Sequence, residues 1–235
     1  MAFNLEFSPI LELTPELVQA TWLTLKLSFS AIVLGSLIGL LATTVRSLLP
    51  GKCSRLVTLY VETIRNTPFL VQLYIIFFGL PVLGIRLPAV YAGLLALVIN
   101  LGAYSAEIFR AGVESIHRSQ VEAGMSLALT RTQVFLHIML RPAIAKVWPS
   151  LASQFILTML SSSVCSFISV QELSGEAYTI QSLTYRSFEI YIVTSLIYLA
   201  IALVLKVLLT VVGRLLFGQR VRSKRAPSAA EGGQA

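Results

Sequence analysis

The sequence predicts an all-α, polytopic membrane protein with about five transmembrane helices, and three observations predict it. Of 235 residues, 56% are hydrophobic and 12% are charged, with a mean hydropathy of +0.81. Soluble domains carry roughly 25% charged and 45–50% apolar residues. A water-soluble chain of this length could not hide so much apolar surface. The second observation is a set of five apolar runs, at about 17–45, 56–80, 88–109, 149–168 and 188–209. Each approaches or exceeds the roughly 20 residues that cross a bilayer at about 1.5 Å per residue. The third is the placement of basic residues between those runs, which fixes an orientation.

The first run has a defined start. Thr14 is a candidate cap, Pro15 suits the first helical position, and Glu16 complements the positive end of the helix dipole. Ala31, Gly35 and Gly39 recur every four residues and form a small-residue stripe that lets another helix approach closely. Upstream lie Glu6, Glu12 and Glu16 where a cleavable signal peptide would be basic, so the first helix is expected to stay in the mature protein. The fourth run is the most diluted, by Gln154, Ser161, Ser162 and Ser163. The apolar stretch 134–140 is too short to span.

With the N-terminus outside, thirteen of the 18 basic residues fall in cytoplasmic segments, while the two external loops hold only Arg86 and Arg186. That asymmetry follows the positive-inside rule and puts the C-terminus in the cytoplasm. Residues 217–235 read as a basic, disordered tail. The basic residues form no aromatic-interleaved patch, so nucleic acid is not an expected partner; the lipid bilayer is. Two cysteines far apart and two histidines give neither a disulfide framework nor metal spacing, and no metal site is expected. All 11 acidic residues are Glu.

The longest cytoplasmic segment, 110–148, carries two helix-start signatures. Ser119-Gln120-Val121-Glu122 and Thr130-Arg131-Thr132-Gln133 both have the capping-box form. They predict two short helices meeting at a bend near 128–129. Val121, Gly124, Met125 and Ala128 share one small apolar face, suited to a groove in another protein. The residues alone also allow an amphipathic loop lying on the inner leaflet.

Within the second run, Glu62, Arg65 and Asn66 are costly in lipid and are expected to face protein. Pro68 opens local carbonyls, tolerable only away from lipid. Two readings stand. In one, Arg65, Asn66, Thr67 and Gln72 line a solute route; in the other, Glu62 and Arg65 pair at three-residue spacing and brace the bundle. Gln154, Ser161, Ser162 and Ser163 likewise line a path or bond a neighbouring helix. Glu172, Glu176 and Arg186 belong to an external loop that either meets a partner or is simply solvated. Lys26 and Lys206 read as snorkelling side chains.

The run from Gln120 through Thr130 and on to Ile138-Met139-Leu140 is similar to the signature loop of binding-protein-dependent ABC importer permeases. Glu122, Ala123, Ile138 and Leu140 match that loop. Gly124 replaces its third residue, Ala128 stands at its Gly position, and Pro142 lies one residue beyond its Pro position. The segment from Tyr60 to Leu73 with Gly79-Leu80-Pro81, the segment from Ala103 to Arg110 with Ser115-Ile116, and Glu172-Leu173, Phe188-Glu189-Ile190-Tyr191 and Tyr198 resemble polar amino-acid permeases in order. Many relatives carry Lys-Asp before a Ser/Thr pair where this chain has Leu160-Ser161-Ser162-Ser163.

The resemblance implies a transmembrane domain over 1–216 with a coupling-helix loop at about 115–141. Ser119, Gln120, Glu122, Ala123, Gly124, Met125, Ala128 and Thr130 would dock on the ATPase. It further implies two ATP-binding-cassette subunits, a second permease copy, an external solute-binding protein and a bacterial inner-membrane location. This chain would bind no cofactor, with ATP and Mg on the partner subunit, and no phosphate-cradling Gly-rich loop occurs in its sequence. The function expected is passage of an amino acid or similar small polar solute. The rival is an ion-coupled carrier or channel independent of an ATPase, which usually shows inverted repeats. No nucleophile–His–carboxylate set suggests an enzyme.

Overall fold

The computed structural model describes residues 7–49 and 51–218. The basic tail expected from 217 onward therefore lies almost wholly outside the described residues. A short helix α1 (Ser8–Glu12) leads into α2 (Thr14–Leu48), a 35-residue helix. At 1.5 Å per residue α2 is about 52 Å long, more than the ~30 Å hydrocarbon thickness. Pro15 sits in its first turn as expected, although no side-chain hydrogen bond caps it.

The second run is not one helix. It divides into α3 (Lys52–Arg65) and α4 (Phe69–Val82), 14 residues each. Each is about 21 Å long, too short to cross alone. Pro68 has no amide hydrogen to continue α3 and instead caps α4 in an extended conformation. The third crossing is α5 (Ala89–Glu114).

The loop then forms α6 (Arg118–Ser126) and α7 (Arg131–Gln133). A π-helical segment (Val134–Leu140), α8 (Arg141–Ser161) and a 3-10 segment (Ser162–Ile168) follow without interruption. The fourth crossing therefore belongs to a continuous body, Arg131–Ile168, of 38 residues. Its start near 149 and the isolated status of 134–140 are corrected: the π-helical segment runs directly into α8, with Pro142 at the junction. Helix α9 (Leu173–Thr184) and the last crossing, α10 (Ser187–Phe217), complete the chain. Among the described residues all regular structure is helical, with four helices long and apolar enough to cross and the broken pair α3–α4 beside them.

The heart of the bundle is α2 against α5. Ala31, Gly35 and Gly39 are all buried there. A Cβ on Gly35 would lie 2.9 Å from Leu101, and one on Gly39 would lie 2.5 Å from the Ser105 Cβ. The small-residue stripe thus serves close helix packing, which in lipid depends on van der Waals fit rather than a hydrophobic drive. Leu27, Ala31, Leu73, Ala96, Leu97 and Cys165 form one core cluster at this seam. Leu101, Phe109, Leu151 and Phe155 form another between α5 and α8.

The bundle has two distinct ends. Ser47 and Leu48, at the finish of α2, lie with α6 residues around one cleft. Thr24, near the start of α2, bonds residues beside α9. The α6 end and the α9 end are thus separated by most of the length of α2.

Candidate functional site

The loop at the α6 end is a small, self-braced lever. Helix α6 begins directly after a His, not at the expected Ser: His117 is the cap, its Nδ1 accepting from the Ser119 amide at 3.3 Å and lying 2.7 Å from the Ser119 hydroxyl. The second box forms as expected. Thr130 Oγ1 accepts from the Gln133 amide at 3.3 Å, and Gln133 Oε1 accepts from the Thr130 amide at 2.9 Å. Between them the chain turns at Ala128, whose φ of +59° lies in the left-handed region. Glycine enters that region freely and alanine does not, at a cost of about 1–2 kcal/mol.

The small apolar face of α6 does not point outward as a whole. Gly124 is buried, and a Cβ there would collide with Ile138 Cδ1 and lie 3.1 Å from Val134 Cγ2. Val121 and Met125 line a cleft of about 370 Å³ with Leu48, Val113, Phe135 and Met139. The inward side of α6 therefore packs on the π-helical segment and on the ends of α2 and α5. The outward side carries Ser119, Gln120, Glu122, Ala123 and Leu127, with Leu127 75% exposed. Arg118 Nε donates to Glu122 at 3.0 Å on that surface. Leu127 was not singled out from the sequence; an exposed leucine at a helix end becomes a signal only once Gly124 is known to face inward.

Just inside the lever lies a cluster that sequence spacing missed. Glu107 of α5 takes Arg110 from its own helix, Arg46 of α2 at 3.7 Å and Arg65 of α3 at 3.6 Å. Arg110 also pairs with Glu114, and Arg65 lies 5.7 Å from the Tyr104 ring centre. The pairing of Arg65 with Glu62 is thus corrected: the three-residue spacing permits it, but a carboxylate on the neighbouring helix takes the guanidinium. Glu107 is legible only as a Glu in an apolar run.

At the α3–α4 break, Asn66 and Thr67 are exposed and turn back onto α3, donating to Glu62 O at 2.8 Å and Thr63 O at 2.9 Å. Gln72 is 6% exposed and donates to Ile64 O at 2.7 Å and Thr67 O at 3.0 Å. Asn100 Nδ2 of α5 donates in turn to Gln72 Oε1 at 3.0 Å. The side-chain amide replaces hydrogen bonds that Pro68 removes, as broken helices at membrane depth require.

In the fourth crossing, Gln154 is half-buried and Ser162 fully buried, its hydroxyl donating to Met159 O at 2.7 Å. Ser163 alone of the trio lines a cleft of about 670 Å³ at the α9 end, with Ser166, Ser169, Gln171, Ser174 and Thr179. The 3-10 segment, α9 and α10 supply its walls. The Arg65–Gln72 group and the serines are therefore not brought into one site within this chain.

The loop before α9 corrects another expectation. Glu172 is 0% exposed rather than solvated. It caps α9, accepting from the Ser174 and Gly175 amides at 2.9 and 3.0 Å, and from Tyr198 Oη of α10 at 2.6 Å. Thr24 Oγ1 of α2 stands 3.3 Å away. Burial pushes the Glu172 carboxyl above its ordinary range, against the pull of those hydrogen bonds. Arg186 is paired with Glu189 at 3.3 Å. Among the described residues no group of three metal-ligating side chains occurs.

The described residues thus form a helical membrane bundle with a broken second crossing and a braced loop at one end. The chain belongs to the family described as the binding-protein-dependent transport system inner membrane component, which matches residues 31–218. It is 33% identical over 206 residues to the glutamine transport system permease protein GlnP of Escherichia coli, covering 87% of this chain and 94% of that one. It is 39% identical over 150 residues to the probable glutamine ABC transporter permease protein GlnM of Bacillus subtilis, covering 64% and 69%. Its fold matches the crystal structure of an amino acid ABC transporter with histidines at a TM-score of 0.83 and 36% identity, covering 91% and 100%. The inward-facing MetNI methionine ABC transporter shares the fold alone, at a TM-score of 0.75 and 18% identity over 87% and 98%.

The protein is accordingly the permease subunit of an ABC importer, a multi-pass inner-membrane protein, and the independent carrier or channel gives way to that reading. Membership implies ATPase partners on separate chains, where ATP is used, and a second permease.

Proposed function

We propose that the chain forms a path for an amino acid or similar small polar solute and is driven through α6 by a separate ATPase. The transmembrane domain comprises 1–216, with the lever at about 115–141. The N-terminus lies outside and the C-terminus in the cytoplasm, so α6 faces the ATPases and the α9 end faces an external solute-binding protein. Two ATPase subunits carrying ATP and Mg serve two permease copies, and the chain itself performs no covalent chemistry. The named glutamine and amino-acid relatives support the substrate class.

One observation carries the reading: α6 is free on its outward side and locked on its inward side. A push on Glu122, Ala123 and Leu127 passes through Gly124 to Val134 and Ile138. Those residues open the continuous body Arg131–Ile168. Displacement of the lever is thus displacement of the fourth crossing. Ser119, Gln120, Met125, Ala128 and Thr130 shape and cap the lever around this contact. Arg65, Asn66 and Thr67 at the break, with Gln154 and Ser161, Ser162 and Ser163, supply polar groups for a path completed by the second copy; Gln72 holds the break open.

Glu122→Arg tests the reading. The variant is expected to insert normally, to lose ATPase co-purification and to abolish uptake. Uptake at the wild-type rate would remove α6 from the coupling role.

A further inference from the structure

Where α8 and α10 meet at the α6 end, they leave a cleft of about 570 Å³. That volume falls within the roughly 300–1,000 Å³ of small-molecule sites. Ala145, Pro149, Ala152 and Phe217 give it apolar walls, and Trp148 and Arg214 also line it. Trp148 is held in place: its Nε1 donates to Leu209 O at 2.9 Å, and its ring packs against Phe155 and Phe217. Arg214 is exposed in the last turn of α10, and among the described residues its guanidinium has no carboxylate or side-chain partner.

Depth and charge identify what suits this cleft. Arg214 follows Ser187, the start of α10, by 27 residues. That is about 40 Å along the helix, beyond the ~30 Å hydrocarbon slab and at headgroup level. The adjoining face of α10 exposes Val207, Leu208, Val211 and Leu215, as a lipid-facing helix does. In sequence the chain continues with Arg220, Arg222, Lys224 and Arg225. Basic residues clustered directly after a transmembrane helix, and basic pockets between helices, recognise anionic headgroups.

We propose that this cleft binds an anionic phospholipid, with an acyl chain against the apolar walls and Trp148 and the phosphate on Arg214. Given the orientation above, the lipid belongs to the inner leaflet. A soluble anion has no use for the apolar walls. A zwitterionic lipid brings its own cation to Arg214. The chain's own basic tail is repelled by Arg214.

Trp148 and Trp22 are the two tryptophans, so a Trp22→Phe chain reports on the cleft alone. The full chain is reconstituted in vesicles of phosphatidylcholine and phosphatidylglycerol, one or the other carrying dibrominated acyl chains. Brominated phosphatidylglycerol is expected to half-quench Trp148 at about fivefold lower mole fraction than brominated phosphatidylcholine, the preference one surface arginine supplies. In a chain shortened by deletion of 219–235, which removes the tail's own attraction for anionic headgroups, Arg214→Gln should bring the two lipids to parity, and Arg214→Lys should keep most of the preference.

Equal quenching by both lipids in the parent, or a preference that survives Arg214→Gln, overturns the proposal. Relief of quenching by inorganic phosphate would identify a soluble-anion site instead and overturn it too. Deletion of 219–235 should leave the preference in place. A rise in quenching by both lipids alike would make the tail the occupant and end the proposal. None of these outcomes depends on uptake, so they stand apart from the Glu122→Arg result.

Discussion

At the α9 end a single carboxylate, Glu172, is sealed from solvent and accepts from two amides, a phenol and a hydroxyl contributed by three helices. At the α6 end a single carboxylate, Glu107, is partly open and shared by three arginines from three helices. The first arrangement has one solution: every donor is neutral, and two of the four are amides fixed in the backbone of α9. The second has several, because any of three flexible cations can leave while two remain. Buried polar networks that are fully satisfied rigidify their surroundings, whereas half-exposed ion pairs contribute little each. The α9 end is thus built to hold its shape, and the end beside the lever is built to rearrange.

The sharpest way to break this contrast is at Glu172. Glu172→Ala leaves two amides and Tyr198 without their acceptor, and is expected to cost about 3 kcal/mol, read as a shifted midpoint of SDS-titrated unfolding in mixed micelles. Glu172→Gln keeps an acceptor for the amides and should recover most of that loss. The pH dependence has a definite sign. Because burial raises the folded carboxyl above its unfolded value, the stability linked to it is full below the unfolded pKa and falls as pH rises through the folded one. Glu172→Gln should abolish that part of the pH profile.

Ala128 sharpens the comparison from the lever side. Its φ of +59° is a place for glycine, so Ala128→Gly should stabilise the loop by about 1 kcal/mol in the same titration. A loss of stability would mean that alanine relieves more in the unfolded chain than it strains in the turn. The smallest effect belongs to the arginine cluster. Arg65→Ala leaves Arg46 and Arg110 on Glu107 and should cost under about 1 kcal/mol, with ATPase co-purification intact and uptake reduced. Unchanged uptake would assign Arg65 to bracing only.

How much of this was legible beforehand depended on sequence distance. The Thr130–Gln133 box and the Ala31–Gly35–Gly39 stripe are local signals, and each formed as read; Pro68 reads as opening carbonyls within one crossing, whereas it divides that run into α3 and α4. The stripe was even identifiable as packing, because small residues at four-residue spacing leave few other uses. Glu172 was misread as solvated because its partners Thr24 and Tyr198 lie 148 and 26 residues away. Arg65 was offered a partner at three residues, yet the one it takes, Glu107, is on another helix. The fourth crossing was begun too late because Arg131, His137 and Arg141 dilute its first turns, though backbone hydrogen bonding carries the helix through them. Gly124 shows the same limit at the lever: heptad-like spacing finds the apolar face of α6 but cannot say whether that face meets a partner or the chain's own next helix.

The lever contact at Gly124 is where the account is most exposed. A valine there must displace the tip of Ile138 and press on the Val134 methyls, an overpacking worth about 1–3 kcal/mol. In proteoliposomes holding the complete transporter, Gly124→Val is predicted to keep ATPase co-purification and ATP hydrolysis while uptake falls about tenfold or more, the rate equivalent of that strain. Uptake and hydrolysis that stay in their wild-type ratio would contradict transmission of the stroke through this contact.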